Sequence, residues 1–204
     1  MDVESGETCA DLANFPVSNQ GAVGANLNGT PIVCGGWSSR TCYKFTNAGW
    51  QEFASMKEKR GYAAGVIFQN NFHVFGGYGN GRLQTSELIS IDGGVEYGPE
   101  LPEAVAYHAI TSINSTVSLL SGGKYGSLRT WYFNHETNVF SSGPSLLVGR
   151  NDHGSATIVD KVTKAKIPMV TGGYNNGYLD STELLINGIW QSGTIQCPFF
   201  SLSH

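Results

Sequence analysis

The segment IPMVTGGYNNGYLDSTELLINGIW, residues 167–190, runs from a short apolar stretch through two glycines and a polar loop into a second apolar stretch that ends in tryptophan. Residues 72–91, FHVFGGYGNGRLQTSELISI, repeat the same order of apolar run, Gly-Gly, aromatic residue, glycine-bearing loop and Ser-Glu-Leu strand. Short apolar runs bounded by glycine-rich turns are typical of β-strands. Their recurrence indicates a repeat architecture.

Four copies of this pattern run along the chain. In each copy an apolar run ends in a glycine doublet, a small or apolar strand precedes that run, and an aromatic residue follows after a loop and a third strand. The doublets are Gly35-Gly36, Gly76-Gly77, Gly122-Gly123 and Gly172-Gly173, and the aromatic residues are Trp50, Tyr97, Phe140 and Trp190. Each repeat therefore predicts four short strands.

The pattern resembles the kelch repeat, whose signature is an apolar strand ending in a glycine doublet, then a tyrosine-containing strand, then a tryptophan. The resemblance covers almost the whole chain and implies an all-β, kelch-type β-propeller in which each repeat forms one four-stranded blade. It makes the eight doublet glycines structural, because glycine permits backbone conformations and close approaches that a Cβ forbids. Trp50 and Trp190 are expected to pack between blades. The doublets lack the strand and helix context of a nucleotide-binding loop.

The repeat boundaries predict one propeller segment over residues 1–204. Whole blades are expected at 15–59, 60–104, 105–149 and 150–198, with half a blade at 1–14 and the start of a missing blade at 199–204. An incomplete ring leaves unpaired strand edges, which natural propellers avoid by closure. We therefore expect a partial propeller, a fragment of a longer protein.

Composition narrows the function classes. Glycine provides 27 of the 204 residues and charged residues only 14%, which favours short strands and tight turns over helices. The formal net charge of −4 gives no basic face for nucleic acid. No apolar run reaches the length of a membrane-spanning helix, so membrane insertion is not expected either.

The cysteines bear on the cellular compartment. Cys34 and Cys42 are predicted to lie on adjacent antiparallel strands, so a disulfide between them is geometrically reasonable, although the four cysteines allow three pairings. The segment CGGWSSRTCY also resembles secreted invertebrate kelch proteins. Glycosylation sequons at Asn28 and Asn114 fall in predicted turns. We expect a secreted, extracellular glycoprotein, with a cytoplasmic protein containing free buried thiols as the alternative.

The remaining polar residues predict no catalytic, metal or cofactor site. His108 and His153 stand at the start of predicted first strands, and Arg60 and Arg150 precede such strands. In propellers this place lies near one rim of the central channel, where these residues could meet a ligand. The expected role of the two histidines is surface hydrogen bonding, because no carboxylate, cysteine or third histidine stands at ligand spacing beside them.

The loops that follow the doublets are the predicted partner-binding surface. They span 78–85, 124–130 and 174–181 and are expected to emerge on one rim, opposite the rim bearing Arg60 and His108. Their aromatic and arginine side chains suit protein recognition; the residues are Tyr78, Arg82, Tyr125, Arg129 and Tyr174. Since most kelch proteins bind other proteins, the resemblance implies a non-enzymatic interaction module with a protein partner of unknown identity. The alternative is a fragment of a galactose-oxidase-like or other metal-dependent enzyme.

Overall fold

The chain is all-β in the computed structural model, which describes residues 13–160 and 163–193. Its strands are β1 (Val23–Leu27), β2 (Thr30–Cys34), β3 (Thr41–Thr46), β4 (Gly49–Ser55), β5 (Ala64–Phe68), β6 (Asn71–Phe75), β7 (Ser86–Ser90), β8 (Val95–Tyr97), β9 (Ala109–Ser112), β10 (Val117–Ser121), β11 (Thr130–Asn134), β12 (Val139–Ser142), β13 (Gly154–Val159), β14 (Lys166–Thr171), β15 (Thr182–Ile186) and β16 (Ile189–Ser192). Residues 1–12 of the predicted half blade, the predicted blade start at 199–204, Cys9 and Cys197 lie outside the described residues. No helix within the described ranges is long and apolar enough to cross a membrane.

The strands form four sheets, and each sheet contains four consecutive strands in chain order. Every neighbouring pair is antiparallel. Asn28-Gly29 and Asn187-Gly188 close the first and last hairpins with positive φ at both residues, 52° and 82° in one turn and 52° and 77° in the other. Such primed turns match the right-handed twist of the strands. The prediction of four four-stranded repeats is confirmed.

The chain divides into two compact units, Met1–Ala106 with β1 to β8 and Tyr107–His204 with β9 to β16. The second and third strands of each sheet carry most of the buried side chains; in β10, for example, four of five residues are buried. Outer strands such as β12 are largely exposed. Successive side chains point to opposite faces of a strand. The consecutive buried residues of β10 therefore show that both faces of its sheet are covered there.

The core of each unit is a cluster of apolar side chains contributed by both of its sheets. The first unit buries Leu27, Ile32, Cys34, Cys42, Met56, Phe72, Val74 and Ile89, and the second buries Leu119, Leu146, Val170, Leu185 and Trp190. Trp190 also donates its indole N–H to the carbonyl of Pro144 at 3.0 Å. Trp50 is half-buried and meets the rings of Phe15 and Phe45 edge-on.

The cross-strand disulfide is confirmed. Cys34 on β2 lies opposite Cys42 on β3, and the two sulfurs are bonded. Both residues are fully buried in the core of the first unit. Structural disulfides persist in oxidising compartments and are rare in the cytosol of most organisms.

The first glycine of each doublet adopts a left-handed conformation, with φ between 56° at Gly76 and 71° at Gly35. At two doublets the backbone of the next blade's entry is also very close. A Cβ on Gly35 would lie 2.4 Å from the carbonyl oxygen of Arg60, and one on Gly122 would lie 2.3 Å from that of Arg150. The second glycine donates its N–H to the same carbonyl, at 3.0 Å in the first unit and 2.9 Å in the second. Only glycine fits such an approach.

A buried arginine–glutamate pair, here called the clamp, is found in the described part of each unit. Arg60 is fully buried; one guanidinium nitrogen lies 2.7 Å from Glu87 and the other donates to the carbonyl of Gly76 at 2.7 Å. Arg150 repeats these contacts with Glu183 at 2.7 Å and Gly172 at 2.6 Å. The clamp corrects the expectation that these arginines lie at a rim and can meet a ligand.

Each clamp glutamate also accepts two backbone N–H groups from the connection before the blade. Glu87 accepts from Lys57 at 2.7 Å and Glu58 at 3.1 Å. Glu183 accepts from Leu147 at 2.7 Å and Val148 at 3.0 Å. The clamp therefore joins the incoming connection, the glycine doublet and the third strand of one blade.

Candidate functional site

The loop after each glycine doublet and the segment before each first strand lie side by side at one edge of the blades, here called the doublet edge. Gly61 and Tyr78 exchange two backbone hydrogen bonds, of 2.9 and 2.7 Å, and Asn151 and Tyr174 do the same at 3.1 and 2.8 Å. The predicted assignment of these two sets of residues to opposite rims is therefore wrong. Antiparallel pairing returns the end of the second strand to the start of the first.

In each of the four blades, the residue two positions before the first strand has a left-handed backbone conformation. The four residues are Gly21 (φ 69°), Tyr62 (φ 52°), Tyr107 (φ 63°) and Asp152 (φ 52°). For a bulky side chain this conformation costs energy, of the order of 1 kcal/mol or more. Because this conformation recurs in all four blades, it belongs to the repeat; in the second unit it carries the side chains of Tyr107 and Asp152.

A cleft of about 360 Å³ opens at the doublet edge of the second unit. We call it the second-unit cleft; it is lined by Tyr107, Lys124, Tyr125, Gly126, Asn151, Asp152, Tyr174, Asn175 and Asn176. Four of these side chains stand on left-handed backbone, because Tyr125 (φ 68°) and Asn176 (φ 55°) join Tyr107 and Asp152. The volume falls within the range of small-molecule sites, roughly 300–1,000 Å³.

Backbone hydrogen bonds hold the walls of the second-unit cleft. Asp152 donates its N–H to the carbonyl of Tyr107 at 3.0 Å, and Asn175 donates to Gly177 at 2.9 Å. Gly126 packs so closely that an added Cβ would lie 2.5 Å from the side-chain oxygen of Asn175. The cleft is thus a preformed feature of the fold.

The chemistry of the second-unit cleft combines aromatic rings, amides and two opposite charges. Lys124 carries its ammonium group 5.0 Å from the centre of the Tyr125 ring. Partial desolvation raises the pKa of the Asp152 carboxyl, so this group holds its proton closer to neutral pH than an ordinary aspartate. Such a cleft suits a small polar ligand that bears a negative charge and some apolar surface.

Two buried histidines follow the strained residues in the sequence. His108 comes directly after Tyr107, and neither of its ring nitrogens has a hydrogen-bond partner among the described residues. Burial, with a smaller contribution from His153, lowers its pKa to about 3. His153 lies 2.9 Å from the Ser121 hydroxyl, and burial followed by the charge of Arg150 lowers its pKa to about 4. Both imidazoles are neutral, and the prediction that they form surface hydrogen bonds is wrong.

At the corresponding place in the first unit, aromatic rings fill the space. Trp37 stacks on Tyr78 with ring centres 5.6 Å apart and meets Tyr62 edge-on at 5.9 Å. Gln20 donates to the Tyr62 hydroxyl at 2.6 Å. The residue that follows the doublet, Trp37 here and Lys124 in the second unit, marks this difference between the units.

The predicted partner-binding residues separate into different environments. Tyr125 and Tyr174 line the second-unit cleft, whereas Tyr78 lies in the aromatic stack of the first unit. Arg82 lines a separate cleft of the first unit, and Arg129 borders a small groove between β11 and β12. That these five residues bind a protein partner stays a prediction.

Sequence reasoning missed Tyr107 and Asp152. A signal was present, because Gly21 occupies their position in the first blade and glycine commonly marks left-handed backbone. Aligning the blades on their first strands rather than on their doublets would have exposed it. No group of three or more His, Cys, Asp or Glu side chains placed to hold a metal ion is found in residues 13–160 and 163–193.

Comparison with known proteins finds a curated relative. No family model matches the chain. The N-acetylneuraminate epimerase of Yersinia enterocolitica serotype O:8 / biotype 1B is 25% identical over 135 residues, which cover 59% of this chain and 34% of the relative. The chain thus spans about a third of the length of the relative it matches.

This relative corrects the predicted function. Its name describes an enzyme, which contradicts the prediction of a non-enzymatic protein-interaction module. The finding favours the alternative, an enzyme fragment built on a kelch-type propeller.

The solved structure of YjhT shares the fold. It superimposes with a TM-score of 0.74 at 17% sequence identity, over 92% of this chain and 69% of that structure. Together with the four sheets of four antiparallel strands, this likeness shows that the chain has the fold of a kelch-type β-propeller.

Proposed function

We propose that this chain is part of a propeller enzyme that acts on an acidic sugar of the N-acetylneuraminate type, and that the second-unit cleft binds that sugar. The observation that carries the proposal is the set of four side chains that left-handed backbone presents around one cleft: Tyr107, Tyr125, Asp152 and Asn176. The name of the Yersinia relative supports the choice of sugar.

The lining of the cleft matches the functional groups of such a sugar. The Lys124 ammonium suits the sugar carboxylate, and the amides of Asn151 and Asn175 suit its hydroxyl and acetamido groups. The tyrosine rings suit the apolar face of the ring and the acetyl methyl group. Charge, hydrogen bonding and apolar contact are thus all available within one cleft.

Epimerisation at the anomeric carbon is a proton-transfer reaction. The anomeric hydroxyl loses a proton, the ring oxygen gains one, the ring opens to the ketone, and it recloses on the other face. A carboxyl group whose pKa is raised toward neutrality is an effective general acid and base for these transfers. Asp152 is the group in the second-unit cleft with that property.

Proton NMR tests the proposal, because it resolves the two anomers of freshly dissolved N-acetylneuraminate and saturation transfer reports binding separately. We expect the chain to bind the sugar and to speed anomeric equilibration. The Asp152→Asn variant is expected to bind but to slow equilibration by about 100-fold or more. Lys124→Met is expected to weaken binding by about tenfold.

Glu136→Gln, an exposed acid in the β11–β12 turn, provides the matched control and is expected to behave as the unaltered chain. Neutral N-acetylglucosamine is the control ligand. Binding of both sugars with equal strength, or equal loss in Asp152→Asn and Glu136→Gln, would show that the second-unit cleft is not the site.

We further propose that the protein is secreted. The disulfide between Cys34 and Cys42 supports an oxidising compartment. Asn28 and Asn114 are exposed in hairpin turns, where an oligosaccharide transferase can reach them. Mass spectrometry of protein from its native source, before and after glycosidase treatment, is expected to show N-glycans at these residues; bare asparagines and alkylated Cys34 in unreduced protein would contradict secretion.

A further inference from the structure

A second cleft, of about 450 Å³, lies at the doublet edge of the first unit. We call it the first-unit cleft; it is lined by Arg40, Lys57, Glu58, Lys59, Gly79, Asn80, Gly81, Arg82 and Leu83. Four of the chain's 12 lysine and arginine residues converge here, and all four are exposed. The carboxylate of Glu58 is turned toward Arg60, 3.1 Å away, and Thr85. The lining therefore carries more positive than negative charges in a chain whose net charge is −4.

The fold does not require these four positive charges, because the matching positions of the second unit are neutral. The carbonyl of Arg40 accepts the N–H of Met56 as the carbonyl of Leu128 accepts that of Leu146. The backbone of Arg82 pairs with Tyr78 as the backbone of Tyr178 pairs with Tyr174. Counting from the clamp arginines, Lys57 and Lys59 correspond to Leu147 and Gly149. The clamp residues recur in both units, whereas positive charges at these four positions occur only in the first. Because the equivalent backbone of the second unit folds without these charges, we infer that the charges have a role other than stabilising the fold.

An exposed aromatic face adjoins the first-unit cleft. Trp37 is 53% exposed and is stacked on Tyr78, so one face of its indole is held flat against a neighbour. Trp37 belongs to the same loop as Arg40, and Tyr78 directly precedes the cleft residue Gly79. The two rings thus belong to the same loops as the cleft residues Arg40 and Gly79.

The backbone of the first-unit cleft is fixed. A Cβ on Gly79 would lie 2.6 Å from the carbonyl oxygen of Lys59, so the two walls meet there in direct backbone contact. Leu83 donates its N–H to Gly77 at 2.9 Å, and Gly61 pairs with Tyr78. The charged side chains therefore project from a rigid base, which lowers the entropy cost of binding.

We propose that the first-unit cleft and the Trp37 face together form a binding site for an acidic oligosaccharide, separate from the second-unit cleft. A sugar ring stacks its apolar face on Trp37, and its carboxylate or sulfate group enters the cleft between Lys57, Lys59 and Arg82. Guanidinium and ammonium groups pair with such anions by charge-assisted hydrogen bonds. A simple inorganic anion would leave the aromatic face unused, whereas an acidic sugar uses both surfaces.

Calorimetric titration with two acidic oligosaccharides tests the proposal: trigalacturonate, which carries carboxylates, and a heparin-derived hexasaccharide, which carries sulfates as well. Maltotriose is the neutral control. We expect binding of at least one acidic probe, weaker at high salt, and no binding of maltotriose. The Lys57→Gln/Lys59→Gln variant and the Trp37→Ala variant are each expected to weaken binding by about tenfold or more.

The matched control is Lys164→Gln/Lys166→Gln, which makes the same charge change on two exposed residues, one in the β13–β14 connection and one at the start of β14, away from the doublet edge. It is expected to bind as the unaltered chain. Equal loss in both double variants would show non-specific charge attraction and overturn the proposal, as would failure of both acidic probes. Loss in Tyr107→Ala with retention in Trp37→Ala would also overturn it, because it would assign the acidic sugar to the second-unit cleft. Retention of trigalacturonate or heparin binding in Tyr107→Ala keeps this site distinct from the proposed enzyme site.

Discussion

The second unit buries the imidazole of His108, a polar group, away from water. His108 is 7% exposed, and neither of its nitrogens has a partner among the described residues. An unsatisfied buried group loses its hydration without receiving a hydrogen bond in return. The buried imidazole of His108 is tolerated because it is neutral. Protonation would place a buried positive charge beside His153.

The buried imidazoles make stability depend on pH. In the unfolded chain a histidine takes up its proton near its usual pKa of about 6.5. In the folded protein burial lowers the pKa of His108 to about 3 and that of His153 to about 4. Between these values the unfolded state binds more protons. The free energy of unfolding is therefore expected to fall as the pH decreases below 6.5, by up to about 1.4 kcal/mol per pH unit for each imidazole.

Denaturant unfolding at several pH values between neutrality and pH 5 measures this slope, with His108→Leu as the diagnostic variant. At neutral pH we expect the variant to lose less than about 1 kcal/mol, because no hydrogen bond is removed. Toward acid its stability is expected to fall less steeply. His73→Leu is the control, since it removes a 2.9 Å hydrogen bond to Ser86 and is expected to cost stability at neutral pH. Parallel pH profiles of His108→Leu and the unaltered chain would contradict the assignment.

Strands and their connections are joined by the clamp. Arg150 binds two carbonyls, Gly172 at the doublet and Ser181 before β15, while Glu183 on β15 receives the connection from β12. A buried ion pair gains little over an apolar pair of the same size, but removing one partner leaves an uncompensated charge in the core. The clamp therefore specifies how connection and strand fit together.

The Arg150→Met variant tests the clamp. We expect it to lower the free energy of unfolding by about 3 to 5 kcal/mol, because Glu183 is left buried without its counter-charge. Chemical denaturation measures the loss. The exposed Arg129→Met change provides a control expected to cost less than about 0.5 kcal/mol, and the double variant Arg150→Met/Glu183→Leu is expected to recover part of the loss. A single variant as stable as Arg129→Met would refute the role.

The strands were predictable from sequence because glycine doublets and hairpin turns are local signals. Gly172-Gly173 precedes β15 and the Asn187-Gly188 turn follows it. The clamp was not predictable, since an arginine and a glutamate that stand 33 residues apart carry no local sign of pairing. A charged residue is ordinarily exposed, so burial of Arg60 and Arg150 ran against the usual expectation.

At the scale of the whole molecule, the fold followed from the repeat, whereas the candidate site followed only in part. Tyr125 and Tyr174 were selected because aromatic residues in loops stand out in a sequence. Tyr107 and Asp152 were not selected. What distinguishes them is their backbone conformation and their contact with a loop that is distant along the chain, and neither is visible in the sequence. The error about the two rims arose in the same way. Strand pairing, rather than residue type, decides which loops meet.

The alternation of the clamp is the order that duplication of a two-blade unit would produce. Where Glu87 and Glu183 stand, the other two blades carry Tyr43 and Trp131, so acidic and aromatic blades follow one another in turn. Copying an ancestral couplet, aromatic blade first and acidic blade second, produces the observed order in a single event. Gene segments of this lineage are therefore expected to be gained or exchanged as couplets, with natural crossover points between residues 106 and 107.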